Sequence, residues 1–318
     1  MQFSLSPESY RFIDYYSDIP KYSDVFLEID DVISSRHLET CGGLLIGVPG
    51  TGKTRLCKRY IETRANASKL STREFGIYVE SPGSSITELL TEILRALDDI
   101  APDKGTIASK QHRIITLINN LDIKVVFLDE IQVVLPASRL LPTAKILKII
   151  KELVNKTNCA WVLSGIPESA QILAIDAQIS ERFTKTFTLT SFCMLNNEST
   201  LDFFEYLIDI LIKIERKMPF FSCLNDSITE DGFEYKTDIN YDNLLRFLLA
   251  TKGKPRQIRQ LLSECIHNTR PSQNINLQIL AELFERVFST EYNKTGANPF
   301  RSSIKEVKKH LIKESLYA

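Results

Sequence analysis

Gly47-Val48-Pro49-Gly50-Thr51-Gly52-Lys53-Thr54 is the stretch from which the rest of the chain is read. It has the form G-x-x-x-x-G-K-[ST], the phosphate-binding loop pattern. A short apolar run, Gly43-Leu44-Leu45-Ile46, precedes it and reads as a buried strand. Arg55 to Ile61 follows with helical spacing and no breaker. Strand, loop and helix in that order are the context the pattern requires. The glycines let the backbone turn tightly and aim its N–H groups at a phosphate lying on a helix N-terminus. Lys53 then reaches the β- and γ-phosphates of a nucleotide, and the Thr54 hydroxyl holds Mg²⁺.

Downstream, Phe75 to Glu80 reads as a second strand and Ile86 to Leu97 as a helix with one apolar face. Asp98 to Lys110 is polar, with Pro102 and Gly105, and reads as a loop before a helix at Ile114 to Leu121. Lys124-Val125-Val126-Phe127-Leu128-Asp129-Glu130 is an apolar strand that ends in two carboxylates. β-Branched and aromatic residues in one run fit a central parallel strand covered on both faces. Its carboxyl end is where open α/β sheets bind ligands. Asp129 is expected to orient the Mg²⁺ water shell and Glu130 to polarise the attacking water. Lys145 to Val154 is a helix, and Cys159 to Gly165 a strand ending in Ser164. That serine is either a γ-phosphate sensor or an ordinary turn residue. Arg182, ahead of a last strand through Phe187 and Leu189, is either a surface arginine or a finger offered to a neighbouring subunit.

Beyond about Leu195 strands give way to long helices, at Glu198–Lys217, Tyr241–Thr251, Pro255–Thr269 and Leu277–Ser289. Gly253-Lys254-Pro255-Arg256 is a glycine turn followed by a proline that opens a helix, with Arg256 at its start. The organisation expected is an N-terminal segment 1–40, an α/β nucleotide-binding domain 41–192, a helical lid 193–290 and a basic tail 291–318. The fold class is α/β, a parallel-sheet core followed by an all-helical lid. Within the preface, Ser6 is expected to cap a helix from Pro7, and Ile19, Pro20 and Tyr22 read first as packing residues.

Composition closes off other classes. The net charge is −1 over 318 residues, so charge does not announce nucleic acid, and any basic surface is local. Six scattered cysteines without a C-x-x-C pair, and four histidines without ligand spacing, argue against a zinc or disulfide framework. A reducing, cytoplasmic setting is expected. No signal peptide and no apolar run of membrane-spanning length is read, so no membrane partner is expected.

Together GVPGTGKT at 47–54, FLDEIQ at 127–132, Ser180-Glu181-Arg182-Phe183 and GKPR at 253–256 resemble an AAA+ ATPase. LDEIQ, SGIPES at 164–169 and Glu215-Arg216-Lys217-Met218-Pro219-Phe220 are similar to the TniB/TnsC group, ATP-dependent regulators of cut-and-paste DNA transposition in bacteria. The resemblance implies ATP and Mg²⁺ as cofactors, with Lys53 and Thr54 on ATP–Mg²⁺, Asp129 on the metal and Glu130 as catalytic base. It further implies Ser164 as first sensor, Arg182 as trans-acting arginine and Arg256 as second sensor. It implies a homo-oligomeric ring or filament around double-stranded DNA that links a target-selection protein to transposase subunits. Replication-initiator or helicase-loader ATPases share this core and are the alternative, as is a nucleotide-gated scaffold with little hydrolysis. If the chain encircles DNA, phosphate contacts are expected from Lys104, Lys110 and Arg113 after the second strand's helix, and from Arg139 and Lys145 after the Asp-Glu strand.

Overall fold

The structure is a computed structural model. It describes residues 7–36, 42–83, 85–134, 141–175, 177–211, 213–214, 241–270, 273–288 and 297–317. The chain divides into two compact units, Lys21–Thr190 and the pair of segments Met1–Pro20 and Ser191–Ala318.

Five parallel strands build the first unit: β1 Gly42–Ile46, β2 Gly76–Glu80, β3 Val125–Asp129, β4 Ala160–Gly165 and β5 Lys185–Thr188. Their order across the sheet is β2-β3-β4-β1-β5. β3 and β4 are buried at every residue, as central parallel strands covered on both faces must be. Helices α1 Pro7–Asp14 and α2 Pro20–Ser34 come first in the chain. The crossovers are α3 Lys53–Ser68 and the short α4 Thr72–Phe75, then α5 Ile86–Ala96, α6 Ile107–Asn120, α7 Leu141–Lys156, α8 Gln171–Ile175 and α9 Ala177–Arg182. One core joins β1, β2, β3 and β4 to α5, α6 and α7 through residues such as Leu44, Leu90, Ile118, Leu128 and Trp161. The Trp161 indole N–H is satisfied in that core by donating to Thr157 Oγ1 at 3.0 Å. α2 is seated through Asp30, whose carboxylate accepts from Tyr60 at 2.5 Å and from the Arg64 guanidinium at 2.5 and 3.0 Å.

The second unit is helical: α10 Asn197–Leu211, α11 Tyr241–Thr251, α12 Pro255–Asn268, α13 Leu277–Val287 and α14 Ile304–Lys313. α11 ends at Lys252 (φ 50°) and Gly253 (φ 61°), a left-handed stop that the GKPR stretch foretold. Pro255 then opens α12. α1 belongs here and packs on α12. The segment 1–40, read from sequence as one preface, is therefore divided between the two units.

α6 begins at Ile107, seven residues before the helix expected at Ile114. Thr106 caps it, its hydroxyl accepting from the Ser109 N–H at 3.2 Å. The proposed cap Ser6 and the lid stretch 215–220 lie outside the described residues.

Candidate nucleotide site

Three strand ends converge on the site. β1 runs into the loop 47–52, β3 ends at Asp129 and β4 ends at Ser164-Gly165. β1 and β4 are direct neighbours, with Leu45 opposite Ser164 and Ile46 opposite Gly165. The loop is anchored at its root, where the Gly47 N–H donates to Gly165 O at 3.1 Å. A Cβ on Gly47 would meet Leu189 O at 2.3 Å, so this position is closed to any other residue. Gly50 (φ 93°) and Gly52 (φ 99°) adopt the left-handed backbone that glycine tolerates. No side chain caps α3, whose N-cap is Gly52. A helix N-terminus without a side-chain cap is the kind of end on which a phosphate lies.

Thr54 Oγ1 donates to Asp129 Oδ2 at 2.6 Å. The second link of the sequence pattern, between the loop and the Asp-Glu strand, is thus a direct contact. Asp129 is fully buried, and Lys53 is 7% exposed with its ammonium donating to Gly47 O at 2.7 Å. The donor set fits Mg²⁺, which takes one or two carboxylate or hydroxyl oxygens and completes its shell with water and phosphate. Ser164 Oγ is buried with no hydrogen-bond partner among the described residues, an orphan of the kind a ligand oxygen satisfies.

Glu130 stands at φ 56°, a left-handed backbone uncommon for a glutamate. Its N–H donates to Asp129 Oδ1 at 2.9 Å, and its carboxylate accepts from Gln132 Nε2. Gln132 Oε1 in turn accepts from the Ile166 N–H at 3.3 Å. Gly165 is hemmed in by this arrangement, since a Cβ there would meet Ser169 Oγ at 2.2 Å and Gln132 Oε1 at 2.8 Å.

Two participants were missed in the sequence. Tyr78 on β2 donates its hydroxyl to Asp129 Oδ2 at 2.8 Å, and Lys58 lies 4.6 Å from the centre of its ring. Burial first, then the Asp129 charge, pushes the Tyr78 phenol well above its ordinary range, so it stays a donor. Gln132 is the other. A tyrosine in a strand reads as a strand former, and Gln132 entered the sequence reading only as the last residue of FLDEIQ, with no role of its own. Cys57, one turn along α3 from Lys53, is buried, and burial with the nearby Asp129 charge holds its thiol far above the usual range.

The remaining sequence-predicted residues fall on several elements. Arg182 is half-buried at the end of α9. Arg256 is exposed in the first turn of α12, in the helical unit. Of the five proposed phosphate contacts, Lys110 is a correction. It is 1% exposed, and its ammonium donates to Thr91 Oγ1 at 2.5 Å and Pro102 O at 2.8 Å. Arg113 is likewise committed to its own loop, donating to Ala101 O at 3.0 Å and Lys104 O at 3.2 Å beside the Asp99 carboxylate at 3.2 Å. Lys104 and Lys145 are exposed, and Arg139 lies outside the described residues.

Comparisons place this architecture among known folds. The ORC1 protein of Aeropyrum pernix, solved in complex with DNA, superposes with a TM-score of 0.57 at 14% identity, over 97% of this chain and 88% of that one. PCH-2 of C. elegans gives 0.48 at 16% identity, over 87% and 70%. Cdc6p of Pyrobaculum aerophilum gives 0.48 at 13%, over 98% and 91%. At 14% identity the likeness to the ORC1 protein shows the fold alone. No protein of curated function matches the chain. A sequence profile described as Bacterial TniB protein matches residues 11–192.

Proposed function

The chain belongs to the TniB family, and on that premise we propose that it is an ATP-dependent regulator of DNA transposition. In this reading it assembles as a ring or filament on double-stranded DNA and passes a selected target to a transposase. The observation that carries the nucleotide part is the 2.6 Å contact between Thr54 and Asp129 beneath an uncapped helix N-terminus. Bound Mg²⁺ supplies charge neutralisation of the phosphates. Thr54 and Asp129 would hold that ion, and Lys53 would leave the Gly47 carbonyl for the nucleotide's β- and γ-phosphates. Glu130 would take the proton of the attacking water, and Ser164 Oγ would donate to the γ-phosphate. Arg182 and Arg256 take their roles, trans-acting finger and second sensor, from the family resemblance. Lys104 and Lys145 are the exposed contacts proposed for the DNA backbone on the sheet unit. A replication-initiator role rests on likeness of fold at 14% identity and explains no additional residue.

Glu130→Gln tests the chemistry. The amide cannot accept a proton, so hydrolysis is expected to fall by about 10²–10⁴-fold while nucleotide binding is kept. Lys53→Ala should instead weaken binding itself. Hydrolysis by Glu130→Gln at the unaltered rate would remove Glu130 from the base role. Electron microscopy with an ATP analogue and duplex DNA tests the assembly, and isolated protomers under saturating analogue would count against it.

A further inference from the structure

We infer that α14 is a docking surface for the phosphate backbone of double-stranded DNA. This rests on the reading of the chain as a DNA-bound regulator and names the surface that makes the grip. α14 holds four lysines, Lys305, Lys308, Lys309 and Lys313, against one glutamate, in a chain whose net charge is −1.

The helix sorts these residues by side. Val307 and Leu311 are buried, and α14 packs on α11. At about 100° per residue the four lysines and Ile312 fall on one arc of about 140° on the other side. At about 1.5 Å per residue, Lys305 and Lys313 are about 12 Å apart along the axis. Lys305, Lys309 and Lys313 are exposed and Lys308 half-buried. Among the described residues none of the four ammonium groups has an ion-pair partner. The neighbouring acids are engaged elsewhere. Glu306 Oε2 accepts from the Ser303 N–H at 3.0 Å in a capping box, and Glu314 lies 3.8 Å from Lys252.

Composition selects the occupant. Protein interfaces lose lysine from their centres and gain aromatic residues. This arc is four lysines around a single apolar side chain, Ile312, 57% exposed. A uniform array of mobile point charges without acceptors suits a polyanion read without regard to sequence. A duplex offers such an array, about one charge per 1.7 Å of its axis. Of the residues first proposed on the sheet unit, Lys110 and Arg113 are engaged internally, and among the described ones Lys104 and Lys145 are exposed.

The test is binding of the full chain, with ATP analogue, to two unrelated duplexes across a salt series. The Lys305→Ala/Lys309→Ala/Lys313→Ala variant removes three contacts and keeps a good helix former at each place. The slope of log affinity on log salt should fall by about 2.7, and affinity at 0.1 M salt by about 10²–10³-fold on both duplexes. The corresponding triple arginine variant should keep the wild-type slope. A folded alanine variant with the wild-type slope overturns the inference and leaves the proposed function standing. So does a loss of slope confined to Lys104→Ala/Lys145→Ala, which returns the DNA to the sheet unit. Polyglutamate displaced by the alanine substitutions more strongly than duplex would make the partner an acidic protein. A wild-type chain that binds no duplex overturns the proposed function and this inference together.

Discussion

Asp129 receives three donors within 3 Å: Thr54 Oγ1 and Tyr78 OH on Oδ2, and the Glu130 N–H on Oδ1. A carboxylate held on both oxygens has one orientation, and a metal shell built on it inherits that orientation. Tyr78→Phe deletes one hydrogen bond to a charged group, worth about 1.5–3 kcal/mol before relaxation. The magnesium concentration for half-maximal hydrolysis should rise about tenfold or more, with nucleotide affinity measured without magnesium unchanged. An unaltered magnesium curve would reduce Tyr78 to packing. Cys57 supplies a second check on the burial of the site. Its thiol is buried and kept protonated, so an alkylating reagent at pH 8 should label half-buried Cys193 before Cys57, Cys159 or Cys265. Early labelling of Cys57 in the native protein would mean the site opens readily. At this scale the glycines, Lys53, Thr54 and Asp129 were legible because a phosphate and a metal demand those residue types at that spacing. Tyr78 was not, because a hydroxyl aimed across two strands depends on sheet order, which no local pattern carries.

Among the described elements, the turn between α11 and α12 tolerates little change. Gly253 has φ 61°, and a Cβ there would stand 1.9 Å from Phe192 O, whose own N–H donates to Gly253 O at 2.8 Å. Gly253→Ala is therefore expected to lower stability by about 2 kcal/mol or more, read as an earlier thermal midpoint. A midpoint within a degree of wild type would show that Phe192 can move aside. Lys110 makes the opposite point about α6. The segment Asp98 to Lys110 is polar, and polarity was read as exposure. In the fold Thr106 starts the helix early and turns Lys110 inward, where its stem is buried and its ammonium finds two oxygens. Lys110→Ala should lower stability by about 2 kcal/mol, since Thr91 and Pro102 lose their donor, and leave the salt slope of DNA binding alone. A changed slope in folded protein would restore Lys110 to the DNA surface. Strand positions were legible because short apolar runs bounded by polar or turn residues have few other homes. Helix starts were not, because one threonine in a polar run is a weak mark.

At the scale of the whole molecule, the proposed assembly makes each site depend on two copies. If Arg182 completes a neighbour's site, Arg182→Ala and Lys53→Ala proteins are each inactive alone and regain part of the hydrolysis when mixed. Normal hydrolysis by Arg182→Ala at every protein concentration would sink the trans role. The division of the chain was less legible than its motifs. Nothing local in Pro7–Asp14 says that it belongs with helices made two hundred residues later.

The bonds that hold α1 are long in sequence: Tyr15 donates to Asp209 at 2.6 Å, and Arg259 to Phe12 O at 3.1 Å. Those pairs are separated by 194 and 247 positions. On the ribosome, every strand of the described sheet has been synthesised by Thr188, before any of α10 to α14 is made. The sheet unit can therefore condense during synthesis, as domains generally do. α1, made ahead of the sheet, must wait through that whole interval for the helices it packs with and settle after the sheet. A helix made before the sheet is in this sense seated after it.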